Sequence, residues 1–544
     1  MGCSFSDSKT DDEQVLARID NLTVSVPHFE NAFKEYFYRT GQVLTPTEST
    51  KKAILDSEFN TYVMAVHAMD LGLDETAEAK YQKLTIEKRV LTEEFLEQLL
   101  FSNIDVTDQD LREYFLRFNA RLRASHLYAP TFKQAEAYYQ RLEAGEQFSD
   151  LAKEAFSNPY LSENGGDIGW FTTDELDVSF EETAFNLKQG EYSRPVKTAQ
   201  GYSIIKVTES TVNPLITEDE FAQNKGKLES YVRKKKEELA QREHLATFVD
   251  GINLNTESVS DLYQIISTSA GQWENKDPEF VSNLSQLKGE LATNGNYEFD
   301  VDRFIEEYYA SSSAMLNSVR DQSSLENYIK GVTYRAFMVD EATKAGIDQQ
   351  KEVQNSIQET YLHYLERLVM DNLKQSIENS PAELYTTFQE NQDRFNQPMV
   401  VNVQRLVVEG EAKAQAMITA YNSGTPFDEL ISRHSINNED RLINGELGYI
   451  NIDEFGFNST KLANLQNGEV STPITYADGE IHVYKILDKI EARPLTFDEA
   501  KNQVDAFLTQ KKLAELRNST IARVKEKHDA EINTERLNAL TIKI

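Results

Sequence analysis

The chain holds a single cysteine, Cys3, which excludes any intramolecular disulfide. No run of about 18 apolar residues occurs, so nothing in the sequence reads as a bilayer-crossing helix. Glycine and proline are sparse, 23 and 12 in 544 residues, which argues for regular, helix-rich structure over three to five domains. Positive charge is scarce as well: 56 Lys and Arg stand against 90 Asp and Glu, a net charge of −34. Nucleic-acid phosphates need a basic face, so nucleic acid is excluded as a partner. The basic run Arg233 to Lys236 sits beside Glu237 and Glu238 in a helical pattern and reads as a solvated helix face. The eight histidines form no i, i+4 pair and no His-Glu-x-x-His pattern, so no metal site is expected. Gly-x-Ser-x-Gly, P-loop and dinucleotide fingerprints are missing too, and no cofactor is expected.

What the sequence does contain is a series of segments that occurs twice. RASHLYAP opens at Arg123, NGGDIGWF spans Asn164 to Phe171 and GYSIIKV closes at Val207, with KQAEAYYQRLEAGEQFSDLAKEAF and FEETAFNLKQGEYSRPV between them. From Val401, VNVQRLVVEG, KAQAMITAYNSGTPFDELISRHS, NGELGYI, NLQNGEVSTPI and GEIHVYKIL follow in the same order; Lys485 lies 279 residues after Lys206, and Gly445 279 after Gly166. The duplication extends outward. VLARIDNLTVSVPHFENAFKEYF is echoed by GELATNGNYEFDVDRFIEEYY, DVTDQDLREYFLRFN by NSPAELYTTFQENQ, PLITEDEF by PLTFDEA, and Asn255-Thr256-Glu257 by Asn533-Thr534-Glu535.

In order and spacing, the segments of residues 123–207 resemble a parvulin-type (PpiC, rotamase) peptidyl-prolyl isomerase domain, of the bacterial extracytoplasmic variety in SurA-, PrsA- and PpiD-like folding factors. The implied fold is α+β and helix-rich, with two tandem units. Each unit has a helical chaperone-like segment, a parvulin domain built as a small antiparallel sheet with covering helices, and a helical tail. The expected boundaries are a tether at 1–13, a helical domain at 14–120, parvulin domain 1 at 121–210, and a tail and linker at 211–288. A second helical segment at 289–398, parvulin domain 2 at 399–490 and a C-terminal tail at 491–544 complete the chain. Residues 266–288, with Gly271, Asn275, Asp277 and Pro278, are the expected join between copies. Val26 to Tyr38 reads as a helix with Phe29, Phe33, Tyr36 and Phe37 at helical spacing, and Thr107 and Ser380 as N-caps before acidic first turns.

A prolyl bond prefers trans by only about 0.5–1 kcal/mol yet crosses a barrier near 18–20 kcal/mol, so a catalyst must favour the twisted amide. The resemblance implies that parvulins do this with an apolar proline pocket and a polar network of two histidines and a Cys or Asp, without metal or cofactor. Carried across, His126 is the first-strand histidine and Ile168, Leu176 and Phe180 the substrate pocket of domain 1. The Cys or Asp position falls on Asn158 or Pro159, and the last-strand histidine is Ser203. In domain 2 that histidine is retained as His482, but the first-strand one is Arg405, the acid or thiol region reads Ile436-Asn437-Asn438, and Ser459 stands at the pocket phenylalanine. The candidate catalytic set is therefore His126, Asn158, Ser203 and His482, and neither copy is complete. The alternative for both histidines is a hydrogen-bonded strand residue in a parvulin core.

Met-Gly-Cys-Ser before a polar tether resembles the end of a bacterial lipoprotein signal, making Cys3 a candidate lipidation site; N-myristoylation at Gly2 and an inert tail are the other readings. The expected function is a periplasm-facing folding factor, lipid-anchored at the outer membrane. It would hold unfolded, exported or outer-membrane client polypeptides with weak or lost isomerase activity. An active isomerase centred on domain 1 and an accessory subunit of outer-membrane assembly or secretion machinery are the alternatives.

Overall fold

The computed structural model describes residues 14–40, 46–212, 217–269, 271–284, 287, 289–476 and 479–542. The expected tether, with Cys3, lies outside them. The first copy opens with a hairpin of β1 (Val15–Ile19) and β2 (Leu22–Ser25), then α1 (Val26–Thr40), α2 (Glu48–Asp70), α3 (Ala77–Phe95) and α4 (Asp108–Phe118). Its parvulin domain follows as β3 (Ala120–Ala129), α5 (Phe132–Glu143), α6 (Phe148–Ala155), α7 (Pro159–Glu163), β4 (Asp167–Phe171), α8 (Val178–Asn186), β5 (Val196–Thr198) and β6 (Gly201–Val212). The tail is α9 (Glu218–Asp250), β7 (Ile252–Leu254), α10 (Thr256–Thr268) and α11 (Pro278–Leu284).

The second copy repeats the order. It runs through β8 (Glu290–Asn294), β9 (Tyr297–Asp300), α12 (Val301–Tyr309), α13 (Ser313–Asn317), α14 (Gln322–Lys344), α15 (Lys351–Gln375) and α16 (Pro381–Glu390). After β10 (Asn396–Gln397) come β11 (Val400–Val408), α17 (Glu411–Asn422), α18 (Phe427–His434), α19 (Asn438–Leu442), β12 (Glu446–Asn451), α20 (Ser459–Ala463), β13 (Ile474–Thr475) and β14 (Ile481–Ile490). The chain closes with β15 (Arg493–Pro494), α21 (Phe497–Lys527), β16 (Glu531–Ile532) and α22 (Thr534–Ala539).

Both parvulin sheets are four-stranded and antiparallel with the same topology, β4-β3-β6-β5 and β12-β11-β14-β13. The helices flanking them start from matching capping boxes: Thr107 with Asp110, Thr217 with Glu220, Ser380 with Glu383 and Thr496 with Glu499. Each box satisfies end N–H groups reciprocally and fixes where the helix begins. On α9, Arg233 is exposed and pairs with Glu237, whereas Lys235 and Lys236 are half-buried and reach Asp174 and Asp110 on neighbouring elements, so only part of the basic run forms the expected solvated face.

The chain packs as two compact units, one formed by residues 72–365 and the other by the chain on either side of it. These units cut across the two sequence copies. In the 72–365 unit, the tail strand β7 of the first copy pairs with β8 of the second, Leu254 opposite Ala292 and Asn253 opposite Thr293, and the Asn255 N–H donates to the Leu291 carbonyl at 3.0 Å. In the other unit, β16 pairs with β1, Ile532 opposite Ala17 and Glu531 opposite Arg18, and the Asn533 N–H donates to the Leu16 carbonyl at 2.8 Å. The register is the same at equivalent positions. A lone hairpin is marginal in water, and each of these two is completed by the tail of the other copy.

Described residues within 266–288, the expected join between copies, contribute to a core. Trp273 is buried there with Phe280 and Leu284 against Phe304 and Tyr308, and its indole N–H donates to the Leu316 carbonyl at 3.0 Å. Pro278 begins α11, and Trp273 ties the stretch to Tyr308 and Leu316.

Candidate proline-binding site and its degenerate copy

In domain 1, β3 and β6 lie side by side with His126 opposite Ile205 and Tyr128 opposite Ser203. Alternation puts His126, Ser203 and Ile205 on one sheet face, the face covered by α8. His126 Nδ1 is 3.3 Å from Ser203 Oγ, and its ring packs beside Phe156 at 5.0 Å and edge-on to Phe180 at 5.7 Å. Among the described residues no acid or thiol hydrogen-bonds to it. Burial among these rings disfavours the imidazolium and pushes the His126 pKa down to about 4, so the ring is neutral at physiological pH.

Phe180 is buried in a cluster with Leu122, Ala124, Phe171, Ile205 and Val207, and Ile168 and Leu176 pack against it while staying partly exposed. The loop carrying Leu176 is tied down by one buried carboxylate, Glu181, which accepts the N–H groups of Asp174, Glu175 and Leu176 at 3.1, 2.8 and 2.8 Å. Asp177 caps α8, accepting from Ser179 and Phe180, and pairs with Arg242 at 2.7 Å. The turn before β4 is set by Asp167, which pairs with Arg123 at 2.6 Å and accepts the Gly169 N–H at 2.8 Å.

Asn158 is exposed, and its side-chain oxygen caps α7 by accepting the Tyr160 N–H at 2.9 Å; Pro159 is the first residue of that helix. His482 belongs to the other sheet, at the position Ser203 holds in the first. The structure thus brings together His126, Ser203 and Phe180, with Ile168 and Leu176 beside Phe180.

Domain 2 fills the equivalent face differently. Arg405 stands opposite Tyr484 and is held bidentately by the buried Asp440, at 2.8 and 2.9 Å, which raises the guanidinium pKa further. Counted back from the glycine of the turn, Asp440 matches Leu161 of domain 1, so the copy with the cation also carries its acid. His482 is buried, with Nδ1 3.1 Å from the Tyr484 hydroxyl and Nε2 3.2 Å from Glu480, and the Tyr484 and Tyr476 hydroxyls are 2.9 Å apart. Phe455 packs edge-on to Tyr484 at 5.2 Å, while Phe457 is fully exposed. Thr460 stands where Glu181 would be, and among the described residues no carboxylate accepts that loop's N–H groups. Sequence reasoning named Arg405 but missed its partner Asp440 and the two tyrosines, because the positions 279 residues before them, Leu161, Ile205 and Lys197, carry no assigned role.

Among the described residues no group of His, Cys, Asp and Glu could hold a metal ion, and no helix is long and apolar enough to cross a membrane.

A family profile described as a PPIC-type PPIASE domain matches residues 126–209, and a second so described matches residues 380–502. The foldase protein PrsA of Bacillus subtilis is 33% identical over 217 residues, 38% of this chain and 72% of the relative. The foldase protein PrsA of Caldanaerobacter subterraneus is 30% identical over 266 residues, 44% of this chain and 84% of the relative. A crystal structure of PrsA from Bacillus subtilis aligns with 43% of this chain and 90% of its own at 28% identity, with a TM-score of 0.17. With its two sheets of one topology and these relatives, the chain belongs to the parvulin-type peptidyl-prolyl isomerase family of PrsA-like folding factors.

Proposed function

We propose that this folding factor acts chiefly by holding unfolded, exported client polypeptides in the bacterial envelope, with weak or absent prolyl isomerase activity. The observation that carries this reading is the state of the two sheet faces. His126 has a serine hydroxyl as its polar partner, and Arg405, at the matching position, is neutralised by Asp440. Polar networks that act as a unit lose function steeply when members are missing. Cys3, at the end of a polar tether, is the proposed lipid attachment that would face the protein out of the cytoplasm, on the outer membrane; two acyl chains suffice for stable anchoring.

The purified chain is expected to suppress aggregation of a denatured client at near-stoichiometric ratio, while turning over a proline tetrapeptide far more slowly than a parvulin with both histidines and the acid or thiol. A second reading, a working isomerase in domain 1, is favoured by the apolar cluster of Phe180, Ile168 and Leu176 beside His126. Robust turnover abolished by Phe180→Ala would establish that reading in place of the first. Fractionation of cells carrying the full gene, wild type against Cys3→Ser, tests the anchor: equal distribution of the two would remove it.

A further inference from the structure

We infer that the cleft between α4 and α9 is a docking site for an aromatic side chain carried on an extended polypeptide segment. This deepens the folding-factor reading by naming where and by what chemistry a client is gripped. The cleft has a volume of about 450 Å³ and is walled by Phe115, Phe118, Leu228 and Tyr231, with Asn119 and Asn224 also lining it. That volume lies within the range of about 300–1,000 Å³ that ligand pockets occupy.

The duplication identifies the occupant. Counted from the capping boxes, Phe388 and Phe507 of the α16–α21 pair stand where Phe115 and Leu228 stand in the α4–α9 pair. There the chain supplies its own plug. A short 3-10 turn, Gln392–Arg394, follows α16 and brings Phe395 back onto the helices. Phe395 is buried, stacked on Phe388 at 5.8 Å and edge-on to Phe507 at 6.1 Å. Its carbonyl accepts the Leu495 N–H at 2.9 Å, and the next residues, β10, run extended against β15.

In the first copy α4 is followed by Asn119 alone before β3 begins, leaving no residue to turn back. Phe221, where the second copy has Ala500, takes up the inner end of the space by packing edge-on to Phe115 at 5.4 Å. The outer part stays open, with Phe118 43% exposed and its ring 4.7 Å from Tyr231. Open aromatic walls gain from being covered. One amide N–H of Asn119 and one of Asn224 donate to the Phe115 and Glu220 carbonyls at 2.9 and 2.8 Å, which fixes each amide with its oxygen able to accept from a peptide N–H. An unfolded chain offers both parts at once, an aromatic side chain and an unpaired backbone.

The probe is a labelled peptide with the sequence of Gln392 to Met399, its binding to the full chain followed by fluorescence anisotropy. Asn224→Trp, at an exposed helix position, places an indole in the cleft. Saturable binding is expected, weakened by about tenfold or more both by Asn224→Trp and by replacing the peptide's phenylalanine with alanine. Lys227→Trp, at another exposed position lining the cleft, is the second blocking variant should the first lower the melting temperature. Absence of binding, or affinities unchanged by the blocking variants or by the alanine peptide, would overturn the site. Aggregation suppression is scored separately: its failure with the peptide still bound in the cleft removes the folding-factor reading and leaves the site, and the reverse result removes only the site.

Discussion

The backbone N–H of His126 donates to the carbonyl of Gly166 at 3.0 Å, and a Cβ built on Gly166 would stand 2.2 Å from the His126 carbonyl oxygen. The same pair recurs in the second sheet, where the Arg405 N–H donates to the Gly445 carbonyl at 2.8 Å and a Cβ on Gly445 would meet the Arg405 carbonyl oxygen at 2.4 Å. Both glycines have positive φ, 77° and 68°. The close approach is what lets the Gly-rich turn lie flat against the first strand, and it survives in the copy whose first-strand histidine is gone. Its role is therefore architectural. Gly166→Ala is expected to destabilise the 72–365 unit by more than about 2 kcal/mol, since backbone strain of about 1–3 kcal/mol adds to the clash. Urea unfolding followed by tryptophan emission reads this unit alone, because Trp170 and Trp273 both lie in it. A midpoint equal to wild type would show that the strand can yield.

Burial gives His126 a distinct pH signature. Its pKa in the folded chain, about 4, is below the ordinary 6.5, so between these values the unfolded chain binds the extra proton. Stability should thus fall as pH drops from about 6.5 toward about 4, by roughly 3 kcal/mol in all from this residue. His126→Phe should flatten that slope without changing stability at neutral pH by a comparable amount. An unaltered acid slope in the variant would mean that the ring protonates freely in the fold.

A parvulin sheet imposes spacing, so the Gly-Gly turn, the central strands β3 and β6 and the phenylalanine of α8 fall where the segments place them. The capping residues Thr107 and Ser380 were equally legible, since one side chain and one acidic partner three residues on suffice to start a helix. Alignment alone could not show that the side-chain oxygen of Asn158 accepts the Tyr160 N–H and caps α7. The exchange of tails between copies was also hidden, because tandem order says nothing about which hairpin a short strand such as β7 or β16 joins.

Glu307 is fully buried on α12 between two cations, Lys88 of α3 at 2.5 Å and Arg335 of α14. Arg335 also donates to the Glu307 carbonyl at 2.9 Å, and Ser311 to the same carbonyl at 2.7 Å. The node joins a helix of the first copy to two helices of the second. Breaking a buried pair from one side strands the remaining charges, typically at a cost of about 3–5 kcal/mol. Glu307→Ala should therefore lower the urea midpoint of tryptophan emission strongly, whereas Lys88→Met with Glu307→Leu and Arg335→Met together should restore most of it. If the triple variant is no better than the single one, the node does more than balance charge.

The closing of the other unit has the opposite pH dependence from His126. His528, at the end of α21, lies 2.9 Å from Asp70 through Nε2 and 2.8 Å from Asp20 through Nδ1, and Lys527 is 2.8 Å from Asp70. Asp20 is in the turn of the β1–β2 hairpin and Asp70 at the end of α2, so this imidazole fastens the chain's tail where β16 completes the hairpin. Burial opposes its protonation. The hydrogen bond to Asp70, followed by that to Asp20, nonetheless raises the His528 pKa above 6.5. A histidine with a raised folded pKa contributes its stability in full below the unfolded value and loses it as pH rises through the folded one. Exchange of the Asn533 N–H, which donates to Leu16, should therefore quicken on the alkaline side beyond its intrinsic pH dependence, and His528→Gln should remove that excess. A ring titration of His528 with its midpoint at or below 6.5 would show that the two aspartates do not hold the proton, and the tail would then be kept by β16 and α22 alone.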